Sequence, residues 1–205
     1  MSTEDALRVT DEMGAMNVRD LSLTGGEPFQ RKDFRNLVQR IVENNIRIAS
    51  IFTNGVDVDH DITDFFVEKV KLPHRCRIRI SLDGMTPESN SVLRGKTREA
   101  KVVFEKTLGT IRRFVEAGFL VSVGTSIHKS NVYQLPEMYS FVKDLGIQEW
   151  RMAVPKPIGQ YKNTENLIGA NWDEVLVAYK RVIDAHLADC KVVDGGVKYP
   201  IKVDI

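Results

Sequence analysis

Cysteine is scarce in this sequence, and its scarcity narrows the class of protein. The chain of 205 residues contains two cysteines, Cys76 and Cys190, far apart and in unlike surroundings. Small secreted domains that depend on disulfides are dense in cysteine. We therefore expect two reduced thiols in a cytoplasmic protein, with a disulfide between them as the less favoured alternative.

The sequence also lacks an excess of charge of either sign and any long hydrophobic run. Lys and Arg number 29 against 28 Asp and Glu, a formal net charge of +1. This balance predicts no nucleic-acid partner, which requires a basic surface. No apolar run is long enough to span a bilayer, and no signal peptide opens the chain, so we expect no membrane partner. The 42% hydrophobic content is enough for a sizeable core.

What the sequence does contain is a regular alternation of strand-like and helix-like segments. Such alternation predicts βαβ units and a parallel sheet, in which right-handed crossovers bring the C-terminal ends of the strands to one edge. Gly118 and Gly146 are expected to end two of the helices, and Ser2 or Thr3 and Asn171 to cap the first and the last. The predicted strands are 18–24, 46–54, 75–83, 119–127 and 149–155, and the predicted helices are 3–16, 31–45, 59–71, 101–118, 132–146 and 171–190.

One short segment, TGGEPF, follows the first predicted strand and combines unusual residues. Gly25 and Gly26 leave the backbone bare, so that a ligand can approach it and an ammonium group can donate to its carbonyls. Glu27 adds a negative charge, and Pro28 fixes φ at the start of the next turn. The segment suits an amine better than a phosphate, which favours exposed N–H groups and a lysine. The alternative is a tight turn between strand and helix.

Three segments in order, LSLTGGEPF, FTNG and RISLDG, each at a predicted strand end, resemble the radical S-adenosylmethionine (SAM) superfamily. The similarity is greatest to members with a C-terminal cysteine-rich extension of the SPASM type, with haem-pathway relatives nearby. The resemblance implies a partial (β/α) TIM-like barrel of parallel strands. It also implies that Gly25, Gly26, Glu27 and Pro28 bind the amino group of SAM.

The resemblance implies further SAM-binding residues around the third predicted strand. Ser81 and Asp83, in RISLDG, match the stretch that meets the SAM ribose and carboxylate, and both side chains can bond to hydroxyls. Their alternative is a turn or a helix cap. Arg94, in SVLRG, resembles the arginine that binds the SAM carboxylate with its guanidinium group. Its alternative is an ordinary surface arginine.

Other candidate residues lie at the remaining strand ends. Asn54 is either a polar contact for the ligand or part of an Asn-Gly turn. Ser126 ends the fourth predicted strand and is a candidate ligand contact, and Val154 matches an apolar position that packs on adenine in the family. The sequence leaves open the roles of His128 and Arg151.

The resemblance lacks one motif, the three cysteines spaced CxxxCxxC that hold the family's [4Fe-4S] cluster. Neither Cys76 nor Cys190 has the spacing or the position to replace it. The chain begins with a helix where a barrel would begin with a strand. We interpret it as a fragment without the first strand and the cluster motif, and expect no metal site in it and weak SAM binding or none. The unpaired strand edge is expected to promote pairing between chains.

The predicted organisation is a radical SAM core at 1–160 and a C-terminal helix and tail at 161–205. The full-length protein is expected to cleave SAM reductively to a 5′-deoxyadenosyl radical that abstracts hydrogen from a small molecule, a peptide or a tetrapyrrole. Its reductant would be a ferredoxin or a flavodoxin, and no catalytic residue is assigned. Two alternatives stay open: a non-catalytic SAM- or nucleotide-binding module, and a cluster-free TIM-barrel metabolic enzyme with Lys129 or Lys156 as a Schiff-base lysine.

Overall fold

The computed structural model describes residues 1–93, 99–156, 169–193 and 196–205. Its long elements follow the predicted alternation of helix and strand, and most of them are shorter than predicted by a few residues at their ends. The helices are α1 (Thr3–Ala15), α2 (Phe34–Glu43), α3 (His60–Lys69), α4 (Pro87–Ser91), α5 (Ala100–Glu116), α6 (Leu135–Asp144) and α7 (Trp172–Asp189). The strands are β1 (Asp20–Leu23), β2 (Arg47–Thr53), β3 (Arg77–Ser81), β4 (Leu120–Ser126), β5 (Glu149–Ala153), β6 (Lys191–Val193), β7 (Gly196–Lys198) and β8 (Lys202–Asp204).

Residues at the helix ends explain why these helices start and stop where they do. The Ser2 hydroxyl accepts a hydrogen bond from the Asp5 N–H at the start of α1, and the Asn171 side chain does the same for α7. Gly118 and Gly146, which follow α5 and α6, have φ values of 79° and 76°. Glycine adopts this left-handed conformation more readily than any residue with a side chain, so both positions end a helix as the sequence predicts.

Four short elements were not expected from the sequence. Helix α4 is a single turn that starts at Thr86, whose hydroxyl accepts from the Ser89 N–H in a capping box. Strands β6 and β7 form an antiparallel pair, and β8 pairs in parallel with β5. Segments of three to five residues are too short to show a period, so hydrophobic patterning does not reveal them.

The chain divides into two compact units, and both include parts of β3 and β4. The first unit comprises Met1–Ile80 and Leu108–Val121, and the second comprises Ser81–Thr107 and Ser122–Ile205. In the first unit, β1, β2 and β3 pair in parallel in that order. In the second unit, β4 pairs in parallel with β5, and β5 with β8.

The core of the first unit is aromatic. Phe66 and Phe119 stack with ring centroids 5.5 Å apart, and the ring of Phe114 meets Phe119 edge-on at 5.3 Å. Phe29, from the segment after β1, packs against Phe34 of α2 at 4.8 Å. Because Phe29 is 3% exposed, its burial fixes the GGEP segment to this core.

The second unit combines an apolar core with charged pairs on β5 and β8. Trp150 is fully buried, and its neighbour Glu149 is only 3% exposed. The Glu149 carboxylate accepts hydrogen bonds from the Ser122 hydroxyl at 3.0 Å and from the Lys202 ammonium at 2.9 Å. The backbone pairing of β5 with β8 thus coincides with a charged contact that satisfies a buried carboxylate.

The predicted α/β fold of parallel strands, a partial TIM-like barrel, is confirmed: the strands of the long sheet are parallel where their pairing is described, and the sheet does not close. In the described part of the chain, β1 has one neighbour, β2, and β8 has one neighbour, β5. The predicted boundary at residue 160 falls among residues 157–168, outside the described ranges, and stays a prediction.

Among the helices in the described part of the chain, none has both the length and the hydrophobicity that a membrane span requires.

Candidate functional site

The glycine pair after β1 presents open backbone. Gly25 has a φ of 142°, a value that side-chain-bearing residues rarely adopt. A Cβ atom added at Gly25 or at Gly26 would meet no other atom within 4 Å. Pro28, directly after Glu27, is buried and begins a 3-10 turn. The bare residues therefore face open space while the residues that follow them are anchored.

The Glu27 carboxylate is fixed over the end of β2. One of its oxygens, Oε1, accepts a hydrogen bond from the Thr53 hydroxyl at 2.7 Å. The other, Oε2, accepts from the Asn54 backbone N–H, also at 2.7 Å. A carboxylate has about four acceptor positions, so these two bonds hold Glu27 in place and still allow it to accept from a cation. Glu27 is half-buried, and the glycines beside it are exposed.

Asn54 forms the turn that the sequence offered as an alternative. Its Oδ1 accepts from the Val56 N–H at 2.8 Å, and Gly55 has a φ of 74°. The Gly55 N–H donates to the Thr53 hydroxyl at 3.0 Å. The observed contacts of Asn54 therefore shape the loop after β2, and its backbone N–H, through Glu27, ties this loop to the glycine pair.

The second unit shows the same type of contact between β3 and β4. The Asp83 carboxylate, just after β3, accepts a hydrogen bond from the Ser126 backbone N–H at 2.8 Å. Asp83 is 5% exposed, whereas Ser81 two residues earlier is exposed and Ser126 is half-buried. The structure therefore brings Asp83 and Ser126 together and leaves Ser81 at the surface of the unit.

The other predicted residues have distinct placements. Val154 is half-buried directly after β5. Arg151 pairs with Asp204 of β8 at 2.9 Å. Arg94 falls among residues 94–98, outside the described ranges. Its predicted role, like those of the other site residues, stays a prediction.

Two asparagines that the sequence analysis did not select join this network. Asn131 is fully buried, and its Nδ2 donates to the carbonyl oxygens of Asp83 at 2.7 Å and of Ser126 at 2.9 Å. Asn90, 1% exposed, accepts from the Asp83 N–H at 2.8 Å. The only sequence signal was their polarity near strand ends, where an asparagine is usually taken for a turn residue.

His128, next to this network, is fully buried and neutral. Its backbone N–H donates to the Asn131 side chain at 2.8 Å, and its Nδ1 accepts from the Ser130 N–H at 3.2 Å. Burial lowers the pKa of His128 to about 4, against a smaller raising effect from the backbone of Ser89. The position and contacts indicate a structural histidine.

The described residues do not fit an iron–sulfur cluster. Such clusters are held by cysteine thiolates. Burial raises the pKa of the Cys76 thiol to about 12, and Cys190 donates its S–H to the His186 carbonyl oxygen at 3.1 Å. Both cysteines are free thiols, as predicted. Within the described ranges, no group of three or more His, Cys, Asp or Glu side chains could hold a metal ion.

The two lysines considered for Schiff-base chemistry are poorly placed for it. Lys129 and Lys156 are both exposed. An amine becomes nucleophilic at neutral pH when it is desolvated or lies beside another cation, and an exposed lysine is not desolvated. This placement disfavours a cluster-free enzyme of the aldolase type.

Known proteins resemble this chain in sequence. The sequence model of the radical SAM superfamily matches residues 1–142. The AdoMet-dependent heme synthase of Methanosarcina barkeri is 25% identical over 176 residues, 86% of this chain and 48% of that protein. The PqqA peptide cyclase of Granulibacter bethesdensis is 28% identical over 153 residues, 75% of this chain and 38% of that protein. The chain thus spans less than half the length of these relatives.

The fold is also similar to that of solved structures. Streptococcus suis SuiB bound to S-adenosylmethionine matches 99% of this chain and 43% of its own with a TM-score of 0.72, at 17% identity. SuiB has also been solved with its precursor peptide SuiA. Likeness at this identity concerns the fold alone. The sequence match over residues 1–142 shows the family, and this chain belongs to the radical SAM superfamily.

Proposed function

We propose that this chain is the SAM-binding core of a radical SAM enzyme, with the amino group of SAM held at Gly25, Gly26 and Glu27. The observation that carries the proposal is the doubly anchored Glu27 carboxylate beside exposed backbone that has open space above it. A carboxylate held in advance binds a cation with less loss of side-chain entropy than a mobile one. An ammonium group suits this position because it donates to carboxylate and carbonyl oxygens alike.

The family resemblance supports proposals for further residues. Ser81, which is exposed at the end of β3, and Asp83 are proposed for the ribose side of SAM. Val154 offers an apolar surface for adenine. Arg94, outside the described ranges, is proposed for the SAM carboxylate on the strength of its motif alone.

The superfamily uses SAM together with a [4Fe-4S] cluster, which supplies the electron for radical formation. Because the described cysteines do not fit the cluster, the role proposed for this chain is confined to binding and orienting SAM. The expected overall result in the whole protein is reductive cleavage of SAM, followed by hydrogen abstraction from a substrate.

A peptide is the proposed substrate class, with a tetrapyrrole as the alternative. Support for a peptide comes from the PqqA peptide cyclase among the relatives and from SuiB, which has been solved with a precursor peptide. Support for a tetrapyrrole comes from the heme synthase. A cytoplasmic location and a ferredoxin or flavodoxin reductant are proposed with them.

The test uses the full-length protein that the gene encodes, reconstituted anaerobically with iron and sulfide and reduced with dithionite. We expect SAM binding and formation of 5′-deoxyadenosine. Glu27→Gln is expected to weaken SAM binding about tenfold or more, because the variant loses a charge-assisted contact. Glu68→Gln, an exposed change in the same unit, serves as the matched control and is expected to leave binding unchanged.

A second candidate function is a non-catalytic SAM-binding module, favoured by the lack of fit between the described cysteines and a cluster. The same assay separates the two. SAM binding that depends on Glu27 without any 5′-deoxyadenosine would identify the module. Wild-type protein that does not bind SAM at all would refute both functions.

A further inference from the structure

The ends of β3 and β4 are held together by side chains beyond their backbone pairing. Their described backbone contact in the second unit is the Leu82 N–H, which donates to the Gly124 carbonyl oxygen at 2.9 Å. One residue after Leu82 and two residues after Gly124, the Asp83 carboxylate accepts a hydrogen bond from the Ser126 N–H at 2.8 Å. The side chain of Asp83 thus replaces a backbone acceptor at the point where the strands separate.

Asn131 joins both strand ends from a third segment. Its single Nδ2 group donates to the Asp83 and Ser126 carbonyl oxygens, and its Oδ1 accepts from the His128 N–H at 2.8 Å. Asn131 is fully buried, so water cannot replace these bonds without local opening. The amide is therefore a buried bridge that sets the distance between the backbone of residue 83 and that of residue 126.

The bridge continues to β5 through Thr125. The Thr125 hydroxyl donates to the Leu82 carbonyl oxygen at 2.7 Å and accepts from the Trp150 indole N–H at 2.9 Å. All three residues are buried. The ends of β3 and β4 are consequently connected to Trp150 of β5 by satisfied polar side chains, which favour one unique arrangement.

We propose that Asn131 and Asp83 are positioning residues for SAM: they act through Ser81 and Ser126 without touching the ligand. The inference rests on the proposed function. Asp83 is 5% exposed, so its carboxylate has little access to a ligand, and one of its oxygens accepts from a backbone N–H within the unit. Ser81 is exposed and only two residues away, so the conformation at Asp83 determines where the Ser81 hydroxyl lies.

The test compares Asn131→Asp with Tyr139→Phe in the reconstituted full-length protein. Asn131→Asp keeps the size of the side chain and the acceptor for His128 but loses both donations. Tyr139→Phe loses the hydroxyl contact with Asp189 on α7, in the same unit but away from the strand ends, and so controls for general destabilisation. The measurements are the thermal midpoint, and KM for SAM and kcat for 5′-deoxyadenosine formation.

We expect Asn131→Asp to raise KM for SAM about tenfold, with kcat changed less than about threefold, because ground-state binding is what misplacement weakens. The control is expected to leave KM unchanged even where its thermal midpoint falls. An unchanged KM in folded Asn131→Asp protein would overturn the proposal. Wild-type protein that does not bind SAM would instead refute the proposed function, and the positioning role with it.

If Asn131→Asp does not fold, a second pair of variants, at Asp83, tests the proposed positioning role. Asp83→Asn retains an oxygen that accepts from the Ser126 N–H, whereas Asp83→Ala does not. A positioning role predicts that Asp83→Asn restores KM to within about threefold of wild type while Asp83→Ala stays impaired. Equal impairment in both would show that the charge of Asp83 itself is needed, and would contradict the proposal.

Discussion

The ends of β2 and β4 are fixed in the same way in two different units. In the first unit Glu27, from the segment after β1, accepts the backbone N–H of Asn54. In the second unit Asp83, from the segment after β3, accepts the backbone N–H of Ser126. In each case the residue before the donor is a threonine. The Thr53 hydroxyl donates to the Glu27 carboxylate, and the Thr125 hydroxyl donates to the Leu82 carbonyl oxygen. A carboxylate thus closes the strand end in both units.

The two sites differ in what surrounds the carboxylate. Glu27 is half-buried and lies beside two exposed glycines with open space above them. Asp83 is 5% exposed, its carboxylate accepts from the Ser126 N–H, and its backbone N–H and carbonyl oxygen are bonded to the buried side chains of Asn90 and Asn131. We infer that the same contact, a carboxylate that accepts a backbone N–H, has two different roles. At the first site it leaves room for a ligand, whereas at the second site it holds the adjacent strand ends together. Four predictions test this difference.

The largest effect is expected from Asn131→Ala. The change leaves the carbonyl oxygens of Asp83 and Ser126 and the N–H of His128 without their partner in a buried position. We expect a loss of about 4 kcal/mol in the free energy of unfolding, measured by urea denaturation. Asn36→Ala, an exposed change on α2, is the control. A loss below about 1 kcal/mol would mean that the second site is as open to water as the first.

Acid is expected to act on the second site through His128. Because its pKa is lowered from 6.5 to about 4, the unfolded chain binds a proton in this range that the folded chain does not. The free energy of unfolding therefore falls as the pH falls from 6.5 toward 4, by an amount that approaches about 3 kcal/mol. Urea denaturation across this range measures it.

His128→Gln should flatten this pH dependence, whereas His60→Gln, at an exposed position, should leave it unchanged. If the slope persists in His128→Gln, the acid sensitivity belongs to another group and the enclosure of the second site is not its cause.

The two threonines give the most direct comparison of the sites. Thr125→Val removes bonds to Leu82 and Trp150, both fully buried, and is expected to cost about 2 kcal/mol. Thr53→Val removes the bond from the Thr53 hydroxyl to the half-buried Glu27 and the bond that this hydroxyl accepts from the Gly55 N–H. Because water can replace the Thr53 hydroxyl at Glu27, the expected cost is smaller, about 1 kcal/mol. Denaturation of the two variants side by side measures the difference. The reverse order would contradict the distinction between an open and a closed site.

The smallest effects concern the glycine pair. Gly25→Ala is expected to lose about 1 kcal/mol because its φ of 142° strains any residue with a Cβ atom, although the added atom meets nothing. Gly26→Ala has neither strain nor a clash and should leave stability within about 0.5 kcal/mol. It should nevertheless weaken SAM binding, because the methyl group occupies the proposed approach to the backbone. Calorimetric titration of the reconstituted full-length variants with SAM measures the effect on binding, and their thermal denaturation measures the effect on stability.

Much of the fold was predictable because its signals are local. The alternation of helix and strand periods gave the order of the long elements, and Ser2, Asn171, Gly118 and Gly146 marked helix ends through backbone preferences that depend on a few neighbouring residues. The three-residue strands β6, β7 and β8 were not predicted, because they are defined by the strands with which they pair and not by a local sequence pattern.

The candidate site was predictable in part. The resemblance selected Glu27 and Asp83 as similar ligand contacts, and local sequence offers no means to tell them apart. Asn131, which lies 48 residues after Asp83, carried only the weak signal of a polar residue near a strand end. Burial and partner geometry separate the two carboxylates, and both depend on segments distant in the chain.

By itself, the sequence determined that this chain forms a parallel α/β fold with a bare, acidic segment at one strand end, since periodicity and glycine placement act over a few residues. Only the tertiary structure decided that the Glu27 carboxylate is held by Thr53 and Asn54 beside open space, whereas the Asp83 carboxylate is buried and accepts from the Ser126 N–H. The reason is physical: exposure and hydrogen bonding of a carboxylate are set by the segments that pack around it, and those come together only when the chain folds.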